Sequence, residues 1–316
     1  MDSTKLAILL LGYAATACAP TEPTDAADES GTTSSASSGE TSDAGAGTTG
    51  DVAETQSGDA STGEGSSTGE PPVDPGLTVD CEGEGSPAII FEEGLGGGTH
   101  TNSTAYIRVL LDVETTVCRY NRRGIPPGPA LGEETRTNAD WRDDLIAWMD
   151  YEGITEPAIF VAHSAGGVTV RMLHDSHPER IAGAVMIDTS QSQQVAHDLE
   201  NFPPEVLDEY RAFVEGDNVE QWDLVTSFAE VDALDEDFGD LPMTVLVAGE
   251  WRQLDFLTQA ENDARYDVWT SAQTELAALS TESVYMVVED ADHQIPTRQP
   301  ELVAAEIVRV FEAAGG

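Results

Sequence analysis

The chain has 316 residues, with 59 acidic against 14 basic side chains and a formal charge of −45 at pH 7. So negative a molecule is expected to avoid nucleic acid and anionic membrane surfaces at ordinary salt, and neither is expected as a partner. The length allows one large domain or two small ones.

Lys5, the only lysine, precedes the apolar run Leu6-Ala7-Ile8-Leu9-Leu10-Leu11. That run is too short to span a membrane and has the length of the apolar region of a secretory signal. It leads to Ala15-Thr16-Ala17-Cys18, which is similar to a bacterial lipobox with Ala15 in place of the usual leucine. Residues 1–18 therefore read as a signal peptide and Cys18 as a lipidation site, with a simple secretory signal cleaved nearby as the alternative. Ala19, rather than an aspartate, favours the outer membrane in the sorting pattern of bacterial lipoproteins. Residues 19–75 are Ser, Thr, Gly, Ala, Asp and Glu with almost no large apolar side chain. Such a segment buries too little surface to offset its ordering entropy, so a disordered, charge-extended linker is expected. The expected product is exported and touches a membrane only through its lipid.

A folded domain is expected over 76–316. Leu77-Thr78-Val79, Pro87 to Phe91, Thr116 to Tyr120, Ala158 to Ala162, Gly183 to Ile187, Thr244 to Ala248 and Val284 to Val288 are strand candidates. Several are near-continuous apolar runs, as for parallel strands buried on both faces. Trp141 to Met149, Ala264 to Leu279 and Glu301 to Phe311 carry apolar residues at helical spacing. Strands alternating with helices imply an α/β domain with a mainly parallel sheet and flanking helices. The acidic, aromatic-rich segment from about 191 to 241 interrupts the alternation and is expected to form a small helical cap. Cys81 and Cys118 lie early in this domain and are expected to pair in an oxidising compartment, two buried thiols being the alternative. They lack metal-ligand spacing, and no lysine follows Gly96-Gly97-Gly98. Neither a metal, a cofactor nor a phosphate loop is therefore expected.

The strand candidate ending at Ala162 runs through His163-Ser164-Ala165-Gly166-Gly167 into a helical stretch containing Arg171, Met172 and Leu173. A serine flanked by small residues between a strand and a helix is a nucleophile elbow, sharp enough that the residues two before and two after the serine must be small. Ala162 and Gly166 hold those places. A serine that merely caps a helix is the plainer alternative. Ser164 needs a base. Of His100, His163, His174, His177, His197 and His293, the last follows the final strand, and His163 is expected to project away from the site.

From about Cys81 onward the chain resembles the α/β-hydrolase-fold family, in its secreted bacterial branch with a short cap. Phe91-Glu92-Glu93-Gly94-Leu95-Gly96-Gly97-Gly98 is similar to the oxyanion loop, with Glu93 where a histidine is usual. Tyr120-Asn121-Arg122-Arg123-Gly124 is similar to the family's Tyr-Asp-Arg-x-Gly turn, and Asp292 precedes His293 where glycine is usual. The resemblance implies a Ser-His-Asp triad of Ser164, His293 and an acid between them in the chain. Asp188, at a strand end, is the first candidate, with Glu250 and Asp255 as alternatives. It also implies an oxyanion hole from the backbone of Leu95 and Ala165. The implied activity is cleavage of a carboxylic ester or related acyl bond in a small, neutral or apolar substrate, by a monomer. An amidase, an iminopeptidase or a carbon–carbon hydrolase could use the same triad. A binding lipoprotein that kept the fold without catalysis is the alternative of another class.

Overall fold

The computed structural model describes residues 72–316; Cys18, the rest of the signal-like segment and residues 19–71 of the expected linker lie outside them. The apolar runs form seven strands: β1 (Thr78–Glu82), β2 (Ile89–Glu92), β3 (Val117–Asn121), β4 (Ala158–His163), β5 (Ile181–Ile187), β6 (Met243–Ala248) and β7 (Ser283–Val288). They make one sheet in the order β1-β3-β2-β4-β5-β6-β7. Only β1 is antiparallel to its neighbour. It is joined to β3 by the Cys81–Cys118 disulfide, whose two residues face each other in register.

Alternate strand residues enter two apolar layers, as the period of two requires. Ile90, Phe160, Ala184, Met186 and Val245 pack on one face, against Leu145, Trp148, Leu173 and Trp269. Ile89, Ile159, Val161, Val185 and Leu246 pack on the other, against Ile107, Val303, Ile307 and Phe311. These partners come from helices α1 (Asn102–Leu110), α2 (Asn138–Tyr151), α3 (Gly166–Ser176), α7 (Gln259–Ala277) and α9 (Pro300–Ala313). Helix α1 has a polar first half and buries only Thr104 and Ile107, so it carries little apolar signal in the sequence. Helix α7 begins five residues before the apolar spacing suggests. Thr258 and Glu261 form a capping box there, the Glu261 carboxylate accepting from the Thr258 N–H at 2.7 Å.

Between β5 and β6 the chain leaves the sheet as α4 (Ser192–Asn201), α5 (Pro204–Val214) and α6 (Leu224–Val231). Val195, Phe202, Tyr210, Phe213, Trp222 and Phe228 of this cap bury themselves on Leu95, Ala165, Val168 and Met172. A short α8 (Ile295–Arg298) precedes α9. No helix among the described residues is long and apolar enough to cross a membrane.

Candidate active site

The order of the strands switches between β2 and β4, since the chain leaves β2 for β3 on one side and β4 for β5 on the other, and ligands of open α/β sheets bind outside the carboxyl ends of strands at such a switch. Glu92, His163, Ile187 and Ala248 end β2, β4, β5 and β6 around it. Ser164 makes the turn from β4 to α3 with φ at 54°, a left-handed value that costs a non-glycine residue about 1–3 kcal/mol. The surroundings enforce it. The Ser164 N–H donates to Ile187 O at 3.0 Å, and its carbonyl accepts from Ser190 N at 2.9 Å. A Cβ on Gly166 would stand 2.4 Å from the Glu92 carbonyl oxygen, so only glycine fits there. Ala162 is fully buried, and the turn tolerates its methyl group.

His293 lies 3.0 Å through Nε2 from Ser164 Oγ and 2.7 Å through Nδ1 from Asp188 Oδ2. Asp188 is fully buried, with φ at 44°. Its other oxygen, Oδ1, accepts from Ala248 N at 2.8 Å and from Trp269 Nε1 at 3.0 Å. A carboxylate facing Nδ1 puts the imidazole hydrogen there and leaves Nε2 as the acceptor for the serine hydroxyl. Glu250 and Asp255, the other acids considered, are both exposed on the loop after β6. Trp269 could not be singled out from the sequence, where it is one aromatic residue on a long helix whose buried positions are partly polar.

His163 does not project away from the site, contrary to expectation. Its Nε2 lies 2.9 Å from the His293 carbonyl oxygen, and the two rings stand 4.8 Å apart between centroids. It shares the strand face of Ile159 and Val161, which also packs Ala291 and Ile295 on either side of His293. Burial, and then the neighbouring His293, push its pKa down to about 4, so it is neutral. His100 is exposed, and His174 packs against Phe238.

Leu95 and Ala165 pack together beneath the cap. Among the described residues neither N–H donates to a protein acceptor. The loop around Leu95 is tied down on both sides. Arg122 donates to the carbonyl oxygens of Glu93 at 2.6 Å and Gly94 at 2.7 Å. Glu93 is buried and accepts from Thr104 Oγ1 at 2.7 Å; burial raises its pKa from 4.5 to about 7. A cavity of about 190 Å³ lies beside α4 and α7, lined by His197, Asn201, Phe202, Leu257, Ala264 and Arg265 among others. Arg265 is already paired with Asp198 at 2.7 and 2.9 Å. Among the described residues no group of His, Cys, Asp and Glu is arranged to hold a metal ion.

A family model described as alpha/beta hydrolase fold matches residues 87–223. The uncharacterized protein YqjL of Bacillus subtilis (strain 168) is 23% identical over 237 residues, covering 74% of this chain and 87% of that protein. A thermophilic esterase from Thermogutta terrifontis is similar in structure, with a TM-score of 0.52 and 19% identity over 76% of this chain and 94% of that one. Alpha/beta hydrolase domain-containing protein 10 from mouse gives 0.54 and 16%, over 75% of this chain and 94% of that one. At these identities the structural likeness is one of fold.

Proposed function

We propose, from the premise that the chain belongs to the α/β-hydrolase-fold family, that it is an exported serine hydrolase cleaving a carboxylic ester or related acyl bond. The observation that carries this reading is the unbroken relay Ser164 Oγ, His293, Asp188, with contacts of 3.0 and 2.7 Å. Ser164 Oγ attacks the substrate carbonyl carbon while His293 Nε2 takes the hydroxyl proton. Asp188 stabilises the imidazolium so formed. The negative oxygen of the tetrahedral intermediate receives the N–H groups of Leu95 and Ala165. On collapse His293 returns the proton to the departing alcohol, leaving an acyl-enzyme. Water, deprotonated by His293, then releases the acid.

The cap favours a small, neutral or apolar substrate. Phe202 belongs both to the apolar cluster that contains Leu95 and Ala165 and to the wall of the cavity beside α4 and α7, which is otherwise largely apolar but includes Glu261. Arg265 in that wall is neutralised by Asp198, so it offers no free charge to an anion. Export rests on the signal-like segment before Cys18, and the Cys81–Cys118 disulfide suits an oxidising compartment. Lipid on Cys18 and a linker over residues 19–75 would hold the domain away from the membrane.

A fluorophosphonate probe and a panel of p-nitrophenyl esters of increasing chain length test the activity. Labelling and turnover should both disappear in Ser164→Ala. Labelling that persists at another serine, or no turnover with any ester, would remove the proposal. Cys18→Ser should release the protein from the membrane fraction; unchanged fractionation would remove the anchor.

A further inference from the structure

We propose that Glu220, on the loop leading from α5 to α6 in the cap, is a positioning residue for the oxyanion loop. The inference rests on the reading of Ser164 as nucleophile and Leu95 N–H as an oxyanion donor.

Glu220 is completely buried, although it is an acid in a surface-built cap. Its Oε1 accepts from the Gly96 N–H at 2.6 Å, across 124 residues of chain. The same oxygen accepts from Arg122 Nη2 at 2.8 Å, and Oε2 accepts from Arg122 Nε at 2.8 Å. Arg122 spends its remaining N–H groups on Glu92 Oε1, at 2.9 Å, and on the carbonyl oxygens of Glu93 and Gly94. All five guanidinium donors thus have an acceptor, three of them on the β2 end and oxyanion loop and two on Glu220. The guanidinium lies over the rings of both Trp141 and Trp222, 5.7 and 5.3 Å from their centroids, the two rings themselves meeting edge to face at 6.1 Å. Leu95 is the residue between the two so held: Gly94 through its carbonyl and Gly96 through its N–H.

The Glu220 loop is itself rigidly built. Asn218 Oδ1 accepts from Glu220 N and Trp222 N, and its Nδ2 donates to the carbonyls of Phe213 and Trp222. Gln221 sits at φ 50°, a left-handed value for a non-glycine residue. Trp222 Nε1 donates to Asn138 Oδ1 at 2.8 Å, and Asn138 Nδ2 donates to Thr169 Oγ1 of α3 at 2.8 Å. One cap loop therefore grips the segment around Leu95 through Glu220 and the helix after Ala165 through Trp222. Seating of the cap and alignment of the two oxyanion donors become a single event.

The test compares Glu220→Gln and Glu220→Asp in the full chain, with Glu215→Gln on the exposed part of the same loop as control. Glutamine keeps the length and loses the charge. Aspartate keeps a charge against Arg122 but is one methylene too short to reach Gly96 as well. Turnover of the preferred p-nitrophenyl ester is measured with amide hydrogen exchange over residues 94–98. Both variants should lower kcat by about 10- to 100-fold, with KM within about twofold, because a donor displaced by an ångström forfeits most of its effect. Exchange in the loop should speed up in both. A kcat equal to the control's, a loss confined to KM, or unchanged loop exchange would overturn the proposal. So would the failure of both variants to fold, which would make Glu220 a determinant of the fold instead. If the wild type hydrolyses no ester, that failure belongs to the proposed activity, and loop exchange alone decides whether Glu220 holds the loop.

Discussion

At Asp188 the two carboxylate oxygens have different duties. Oδ1 is held by Ala248 N and Trp269 Nε1, and Oδ2 faces His293. In Asp188→Asn the amide oxygen can keep the first pair, which turns its NH₂ toward the imidazole. The ring then must carry its hydrogen on Nε2 and cannot accept the serine proton. Turnover should fall roughly 10⁴-fold with the circular dichroism spectrum unchanged; full activity would transfer the role to another acid. Glu93 sets a different pH dependence. Its folded pKa is raised by burial from 4.5 to about 7, so the folded state binds the proton more tightly than the unfolded chain. That contribution to stability is complete below pH 4.5 and is lost as pH rises through about 7. Glu93→Gln, which keeps an acceptor for Thr104, should flatten the fall in melting temperature across this window. A fall identical to wild type would mean that another group titrates there.

Among the elements, β1 depends most on a single bond. It is an edge strand that pairs only with β3, and the Cys81–Cys118 bridge closes a loop of 37 residues between them. Removing that constraint costs about 2–4 kcal/mol. Cys81→Ala with Cys118→Ala should lower the melting temperature by roughly 5–15 °C. Turnover should stay near wild type, because β3 and β2 stand between β1 and the β4 strand that carries Ser164. A large loss of activity without a loss of stability would contradict this placement. The strands were legible in the sequence because burial on both faces leaves uninterrupted apolar runs. Helix α1 was not, since only two of its residues are buried. The early start of α7 was present as the pair Thr258 and Glu261, a capping signal that apolar spacing passes over.

At the scale of the molecule, charge dominates. Of the 59 acidic residues, 47 lie in residues 72–316, together with 13 arginines and no lysine. Arg122, Arg171 and Arg265 are buried against carboxylates and add nothing to the outer field. The folded surface therefore repels itself, and salt should relieve this as the screening length falls from about 10 Å at 0.1 M to 3 Å at 1 M. Raising sodium chloride over that range should raise the melting temperature by several degrees. A fall would show that the ion pairs outweigh the repulsion.

The amino-acid sequence determined the layered α/β architecture, the elbow at Ser164, the position of His293 after the last strand and the place of the cap. Each of these is written in local terms: an apolar run, a small-residue turn, an order along the chain. The sequence narrowed the residues facing His293 to three acids, and it misdirected His163. Chain order is the same for Asp188, Glu250 and Asp255. What separates them is that Asp188 stands fully buried at the end of the strand beside Ser164, while the others sit exposed on a loop. The contacts of Trp269 with Asp188 and of Glu220 with Gly96 and Arg122 had no local signature at all. They join residues 81, 124 and 98 positions apart, and only the folded sheet and the seated cap bring such pairs within hydrogen-bond reach.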